Sequence, residues 1–216
     1  MKACHWSRPR CFRKDAAEYK LARKAHMTTE YFRRAPGGGK LYPFNGVWPR
    51  LGEGVFIAPG ARIIGDVVIG DKSSVWFNCV LRGDVNIIRV GAGTNIQDDT
   101  VVHVEGGGAA TLIGDNVLIG HCAMVHGTVI EDKGFVGLGA VTMDGCHIES
   151  NGMLAAGGLL SPGKRIHGRE LWVGRPAKKI RDLNDAAVDG MFAGTVGYQQ
   201  LAEKYLREYY GGDLAP

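Results

Sequence analysis

The chain lacks any run of the roughly 18 apolar residues that a membrane-crossing helix needs, so no helical span is expected. No secretory signal-peptide pattern opens it, and no Cys-x-x-Cys occurs among its five unevenly spaced cysteines. Those absences fit a reduced, cytoplasmic protein rather than a disulfide framework. Its 33 glycines among 216 residues follow no Gly-X-Y period, which excludes collagen. Apolar residues are not scarce either: 45% hydrophobic with 22% charged excludes a disordered chain. The body also lacks an excess of one charge. Residues 1–26 carry eight Lys/Arg and two acids, whereas the rest carry 18 and 20. The formal +4 therefore belongs to one terminal segment, and no nucleic-acid surface is expected.

Glycine is missing from the first 36 residues, which read as a peripheral N-terminal extension (1–36). Residues 16–25 have the composition of a short helix, and Met27 offers a second start. An organelle-targeting peptide is the alternative for residues 1–26, but Asp15 and Glu18 interrupt the acid-poor pattern that it requires.

What the chain does have is a period of six. Ile57, Ile63, Ile69, Val75, Leu81 and Ile87 recur without a miss. After a slip come Val90, Ile96 and Val102, then Ile113, Ile119 and Val125, then Ile130, Val136, Thr142, Ile148, Leu154 and Leu160. Thr142 alone breaks the aliphatic rule. Six matches neither a helix nor a lone strand; it implies short strands joined by corners, three of them closing a triangular turn of a parallel β-coil. Gly65, Gly70, Gly91, Gly114 and Gly120 follow the aliphatic position, where corners favour residues that tolerate positive φ. This coil is assigned to residues 37–175, a helical segment to 176–210 and a tail to 211–216. Ile180, Leu183, Val188, Met191, Phe192, Leu201, Tyr205 and Leu206 give the helix its spacing, and it is expected to pack along the coil.

Four of the seven histidines fall between residues 103 and 147. Three neutral imidazoles around a divalent ion leave a fourth position for water, the arrangement of a catalytic metal site. Such an ion lowers the pKa of its water from 15.7 to about 7. By spacing alone, His103, His121 and His126 read as metal ligands or as ordinary surface histidines. His121 and His126 lie five apart, one short of a repeat, so their side chains need not face the same way. A three-histidine site then needs another turn or another subunit.

The segments LRGDVNIIRVGAGTNIQDDTVVHV, IGDNVLIGHCAMVHGTVI and VGRPAKKIRDL make the chain, from about Leu41 to Tyr205, resemble the gamma-class carbonic anhydrases. These are left-handed parallel β-helices of hexapeptide repeats. The resemblance implies a homotrimer with metal sites between subunits, His103 and His126 coming from one chain and His121 from its neighbour. It implies a lyase that reversibly hydrates CO2 to bicarbonate through metal-bound hydroxide. Zn2+ is the expected ion, and imidazole suits Fe2+ or Co2+ as well. By the same resemblance Gln97 orients the hydroxide, and Arg82, Asp84 and Asp98 form a charged group at the subunit interface. A purely structural ion-pairing role for those three is the alternative.

The sequence also departs from the family archetype. Val85 stands where a glutamate follows Arg-Gly-Asp, and the loop VEGGGAA retains only Glu105 as a substitute proton shuttle or a solvated acid. Val196, Gly197 and Tyr198 replace a Tyr-x-Asn, leaving Tyr198 to cap the site or pack the helix, and Asp99 replaces a customary glycine. These changes leave fold and metal binding in place and bear on turnover. The alternatives are a non-catalytic metal-holding trimer acting as a protein-binding scaffold, and a hexapeptide acyltransferase using coenzyme A. Trp76 and Phe77 read as packing, Cys79 and Cys122 as buried thiols, and His147 and His167 as surface residues. Neither a phosphate cradle nor a membrane anchor is expected.

Overall fold

The computed structural model describes residues 31–210, and side chains within 31–208. Most of the expected N-terminal extension, its short helix and the tail at 211–216 lie outside the described residues. From Leu41 onward the chain winds into a parallel β-coil with three inward columns. The first runs Ile63, Leu81, Val102, Val125, Thr142 and Leu160. A second runs Ile57, Val75, Ile96, Ile119, Val136 and Leu154. The third runs Ile69, Val90, Ile113, Ile130, Ile148 and Ile166. These are the period-six residues, and together they are the core. Each fully buried aliphatic contributes roughly 1.5–3 kcal/mol, so the repeated column is the main driving force of the fold. Thr142 is tolerated inside because its hydroxyl lies 2.9 Å from that of Thr128, and both side chains are buried.

One member of the expected series is wrong. Ile88, not Ile87, is fully buried, because residues 84–87 of the strand Val80–Val90 stand opposite Asp66 alone, three more than the period allows. Gly65 pairs with Gly83, and Val67 already pairs with Ile88. The other departures from six, between Val102 and Ile113 and between Val125 and Ile130, occur at the same corner of the triangle. That corner carries Asp84, His103 and His126.

The corner glycines also need a corrected reason. Gly65 has φ +74°, as expected, but Gly70, Gly91, Gly114 and Gly120 do not have positive φ. A Cβ at Gly70 would stand 2.7 Å from Ala92 N, and one at Gly120 would stand 2.6 Å from Leu138 N. These positions need glycine for the stacking of one turn on the next. The left-handed residues lie two positions further on, among them Lys72, Asn116 and Cys122. Asp99, at φ +59°, adopts the backbone conformation that the customary glycine would, and aspartate tolerates it.

The coil ends are closed by antiparallel pairs. Arg33–Arg34 pairs with Lys40–Tyr42, so the peripheral extension stops short of residue 36. At the other end Glu170–Gly174 pairs with Ala177–Asp182. The expected helical segment from 176 is corrected accordingly: Ile180 lies on an exposed strand, Leu183 is buried in the link, and the helix is Asp185–Tyr210. Asn184 caps it, its side-chain oxygen accepting the Ala187 N–H at 3.0 Å. The helix lies along the second face of the coil, where Tyr198, Ala202, Tyr205 and Leu206 pack with Phe56, Ala58, Trp76 and Phe77. Gln199 fixes its register through Gly93 O, at 2.8 Å. Among the described residues no helix is long and apolar enough to cross a membrane.

The last turn is joined to its predecessor by Glu149, which accepts bonds from Arg165, the Gly168 N–H and His167. The Arg165 bond and then the Gly168 amide hold its carboxyl down, from an ordinary value near 4.5 to about 2. A depressed carboxylate stabilises the fold above its unfolded pKa and loses that contribution as pH falls through the folded value. Glu149→Gln should therefore melt below wild type at pH 6–7, and the gap should close as pH falls from about 4.5 to about 2. Thermal melts across that range check it.

Candidate metal centre

His103 and His126 lie side by side on adjacent turns, paired in register at the ends of the strands Val101–His103 and Met124–His126. Buried threonines secure both backbones. Thr111 Oγ1 donates to the His103 carbonyl at 2.6 Å, and Thr128 Oγ1 lies 2.8 Å from the His126 carbonyl and 3.2 Å from that of Met143. Thr128→Val keeps the shape but leaves these buried acceptors short of a donor, at a cost of about 1–3 kcal/mol. The expected result is a lower melting temperature with the secondary structure unchanged by circular dichroism.

The ring nitrogens are arranged in a chain. Asp84 Oδ1 lies 3.2 Å from His103 Nε2, His103 Nδ1 lies 3.1 Å from His126 Nε2, and His126 Nδ1 lies 2.6 Å from Asp144 Oδ1. Burial alone would raise the pKa of Asp84, but Arg82, at 2.5 Å, and His103 outweigh it and hold the carboxyl below its usual range. An ionised carboxylate only accepts, so each imidazole donates its outer N–H to its aspartate. The two inner nitrogens then face each other across 3.1 Å, with no donor between them unless a cation enters. Such a gap calls for a cation, either a shared proton or a metal ion. Two nitrogens held at about 2.0–2.1 Å on one tetrahedral ion stand about 3.3 Å apart, so the residues present fit a metal. Carboxylate-held imidazoles are also the usual support of metal ligands.

His121 lies at another corner but repeats the chemistry. Its Nδ1 is 2.7 Å from Asp98 Oδ2, and Asp98 Oδ1 also accepts the Phe77 N–H at 3.1 Å. The remaining nitrogen, Nε2, faces the Tyr198 hydroxyl at 3.2 Å. Burial, with Asp98 nearby, pushes the Tyr198 pKa up, so the phenol stays a donor at neutral pH. Tyr198 thus reaches a site histidine while its ring packs edge-on against Trp76 at 5.2 Å. Within the described residues of one chain, no three His, Cys, Asp or Glu side chains gather into a metal-holding group.

The remaining expected site residues are more dispersed. Gln97 is buried on the coil's outer side, its amide donating to Asn95 Oδ1 at 3.1 Å. Arg82 pairs with Asp84 within the chain, and Asp98 with His121. Glu105 is exposed in a loop held to Asn86, whose side-chain amide donates to the carbonyls of Glu105 and Gly108. Val85, beside that loop, is 52% exposed. Cys79 is buried, with its thiol pushed up to about 12 by desolvation, but Cys122, expected to be buried, is exposed at its left-handed corner. His147 and His167 pair with Glu131 and Glu149. Sequence reasoning missed Asp144 and the two threonines. The available signal was that Asp144 follows His126 by 18 residues, three hexapeptides or one full turn.

The family model "Bacterial transferase hexapeptide (six repeats)" matches residues 49–83. Gamma carbonic anhydrase 2, mitochondrial, of Arabidopsis thaliana is 48% identical over 74% of this chain, which spans 59% of that relative's length. A probable carbonic anhydrase of Methanocaldococcus jannaschii is 42% identical, covering 71% of this chain and 96% of its own length. Among solved structures, a hexapeptide transferase family protein from Anaplasma phagocytophilum shares 45% identity with a TM-score of 0.74, covering 76% of this chain and 97% of its own. With relatives named carbonic anhydrase aligned over 71–74% of it, the chain belongs to the gamma-class carbonic anhydrase family.

Proposed function

We propose that this chain is a subunit of a homotrimeric, divalent-metal carbonic anhydrase that interconverts CO2 and bicarbonate. The observation that carries the reading is shared by His103, His121 and His126: one ring nitrogen of each faces an aspartate carboxylate, at 3.2, 2.7 and 2.6 Å, an arrangement that supports the other nitrogen as a metal ligand. His103 and His126 of one chain would hold the ion together with His121 of a neighbour. Zn2+ fits this all-imidazole donor set, as do Fe2+ and Co2+. When bound, the ion supplies the Lewis acidity that makes water a nucleophile at neutral pH. Asp84, Asp98 and Asp144 fix the three tautomers, and Arg82 keeps Asp84 ionised. With the ion in place, Gln97 would orient the reacting water by a hydrogen bond, Tyr198 would cover the His121 side, and Glu105 would carry a proton to solvent.

Assembly is supported by the surface beside the histidine pair. Val80, Val101, Met124, Val141 and Leu159 form one outward row, and Met124, Leu138 and Met143 are exposed. A second copy covering that row would bring its own His121 toward the pair. For compartment, the Arabidopsis relatives are named mitochondrial, whereas the sequence reading places this chain in the cytoplasm. Fractionation of the chain with and without residues 1–26 decides between them.

The test is CO2 hydration by metal-analysed protein beside His121→Ala. Turnover lost in that variant supports the enzyme. Stoichiometric metal without turnover above the variant favours the scaffold reading, for which exposed Val85, in place of a relay carboxylate, is the specific observation. Acetyl-CoA consumption would favour an acyltransferase. If Glu105 relays protons, Glu105→Gln should lower kcat in dilute buffer and recover in concentrated imidazole buffer.

A further inference from the structure

We propose that Asp144 is a positioning residue that makes His126 a metal ligand, acting through its tautomer rather than through net charge; this rests on the metal-centre reading above. Histidine free in solution favours the proton on Nε2, the form in which His126 would turn an N–H, not a lone pair, toward His103. Asp144 Oδ1 lies 2.6 Å from His126 Nδ1 and draws the proton there, freeing Nε2 for the shared gap.

Three features of the fold seat this carboxylate. Asp144 stands one coil turn beyond His126, beside Met143, whose carbonyl lies within 3.2 Å of the Thr128 hydroxyl. That hydroxyl also reaches the His126 carbonyl, so the two backbones are held together. Between them lies Gly127, at φ +52°, where a Cβ would collide with Asp144 Oδ1. The sequence His126-Gly127 thus leaves room for the aspartate of the next turn to lie across the backbone and reach the ring. Both side chains are about one-third exposed, 29% and 35%, so an ordinary surface ion pair is the competing account.

Asp144→Asn and Asp144→Leu separate the two. Asparagine keeps an oxygen that accepts the Nδ1–H but loses the charge; leucine loses both. In the full-length metal-free protein, long-range nitrogen–proton NMR of labelled histidine should show His126 carrying its proton on Nδ1 in wild type and in Asp144→Asn. In Asp144→Leu the proton should move to Nε2. Chelator competition with Co2+ should show affinity lowered by about 10–100-fold in Asp144→Leu and by only a few fold in Asp144→Asn. The Co2+ visible spectrum should be perturbed only in the leucine variant. The proposal is overturned if His126 keeps its Nδ1 proton in Asp144→Leu, or if both variants lose affinity equally, as a charge effect would require. A wild-type protein that takes up no metal would defeat both readings, whereas one that binds metal with these variant effects but hydrates no CO2 would defeat the carbonic anhydrase reading alone.

Discussion

Co-expression of His121→Ala and His126→Ala chains is expected to restore about a quarter of the wild-type metal content, although each variant alone holds none. In a site shared by neighbours, an intact triad forms wherever a His121→Ala chain supplies His103 and His126 and a His126→Ala chain supplies His121. Random mixing yields that neighbour pair at about one site in four in a closed cyclic trimer. Sites built within one chain would recover nothing, because every chain lacks one ligand. Metal analysis of the unselected pool reads this value, and mixed trimers purified through different affinity tags on the two chains should hold about one site in three. The geometry behind the expectation is simple. His103 and His126 face one another across 3.1 Å, while His121 of the same chain is engaged with Asp98 and Tyr198 at another corner.

The largest expected effect on stability comes from Trp76→Ala. Trp76 is 3% exposed beneath the C-terminal helix, with ring centroids 5.2 Å from Phe56, 5.2 Å from Tyr198 and 5.4 Å from Tyr205. Its indole N–H donates to Ser74 Oγ at 3.0 Å. Removing it opens a cavity between helix and coil, and loss of about 3–5 kcal/mol is expected in chemical denaturation. Tyr198 loses its packing partner at the same time, so the His121 contact should loosen and the near-ultraviolet circular dichroism should fall. Tyr198→Phe is the companion: it keeps the ring contacts and loses only the hydroxyl bond, so it should cost about 0.5–1.5 kcal/mol. Equal losses in the two variants would contradict this account of the helix.

The coil was legible because a single physical requirement, an aliphatic side chain pointing inward at every sixth residue, repeats along the chain and reads directly as three columns. The helix start was less legible. Ile180 and Leu183 fit a helical spacing, but Ile180 falls on the exposed strand Ala177–Asp182, which pairs with Glu170–Gly174 at the coil's end, and Leu183 falls in the link that follows. Backbone pairing at an exposed edge overrode local periodicity there. The three histidines stood out by residue type, and the resemblance supplied their pairing across chains. The slips in the period marked the site more closely than their irregularity suggested. Residues 84–87, set against Asp66 alone, put Asp84 beside His103, and the shortened step after Val125 turns the chain directly after His126. Asp144 was silent because nothing local distinguishes an aspartate in a corner from its neighbours. Only the stacking of turns brings it to a ring 18 residues earlier. The glycines misled in the opposite direction: several are fixed by the approach of the next turn, which no single turn reveals.

The most direct measurement is a crystal structure of the purified full-length protein, with anomalous diffraction recorded at the absorption edge of the metal found by elemental analysis. The account predicts one anomalous peak per chain, placed between His103 Nδ1 and His126 Nε2 and completed by His121 of a neighbouring chain at about 2.0–2.2 Å. A peak elsewhere, or a trimer whose His121 stands too far from that gap to reach a common ion, would contradict it.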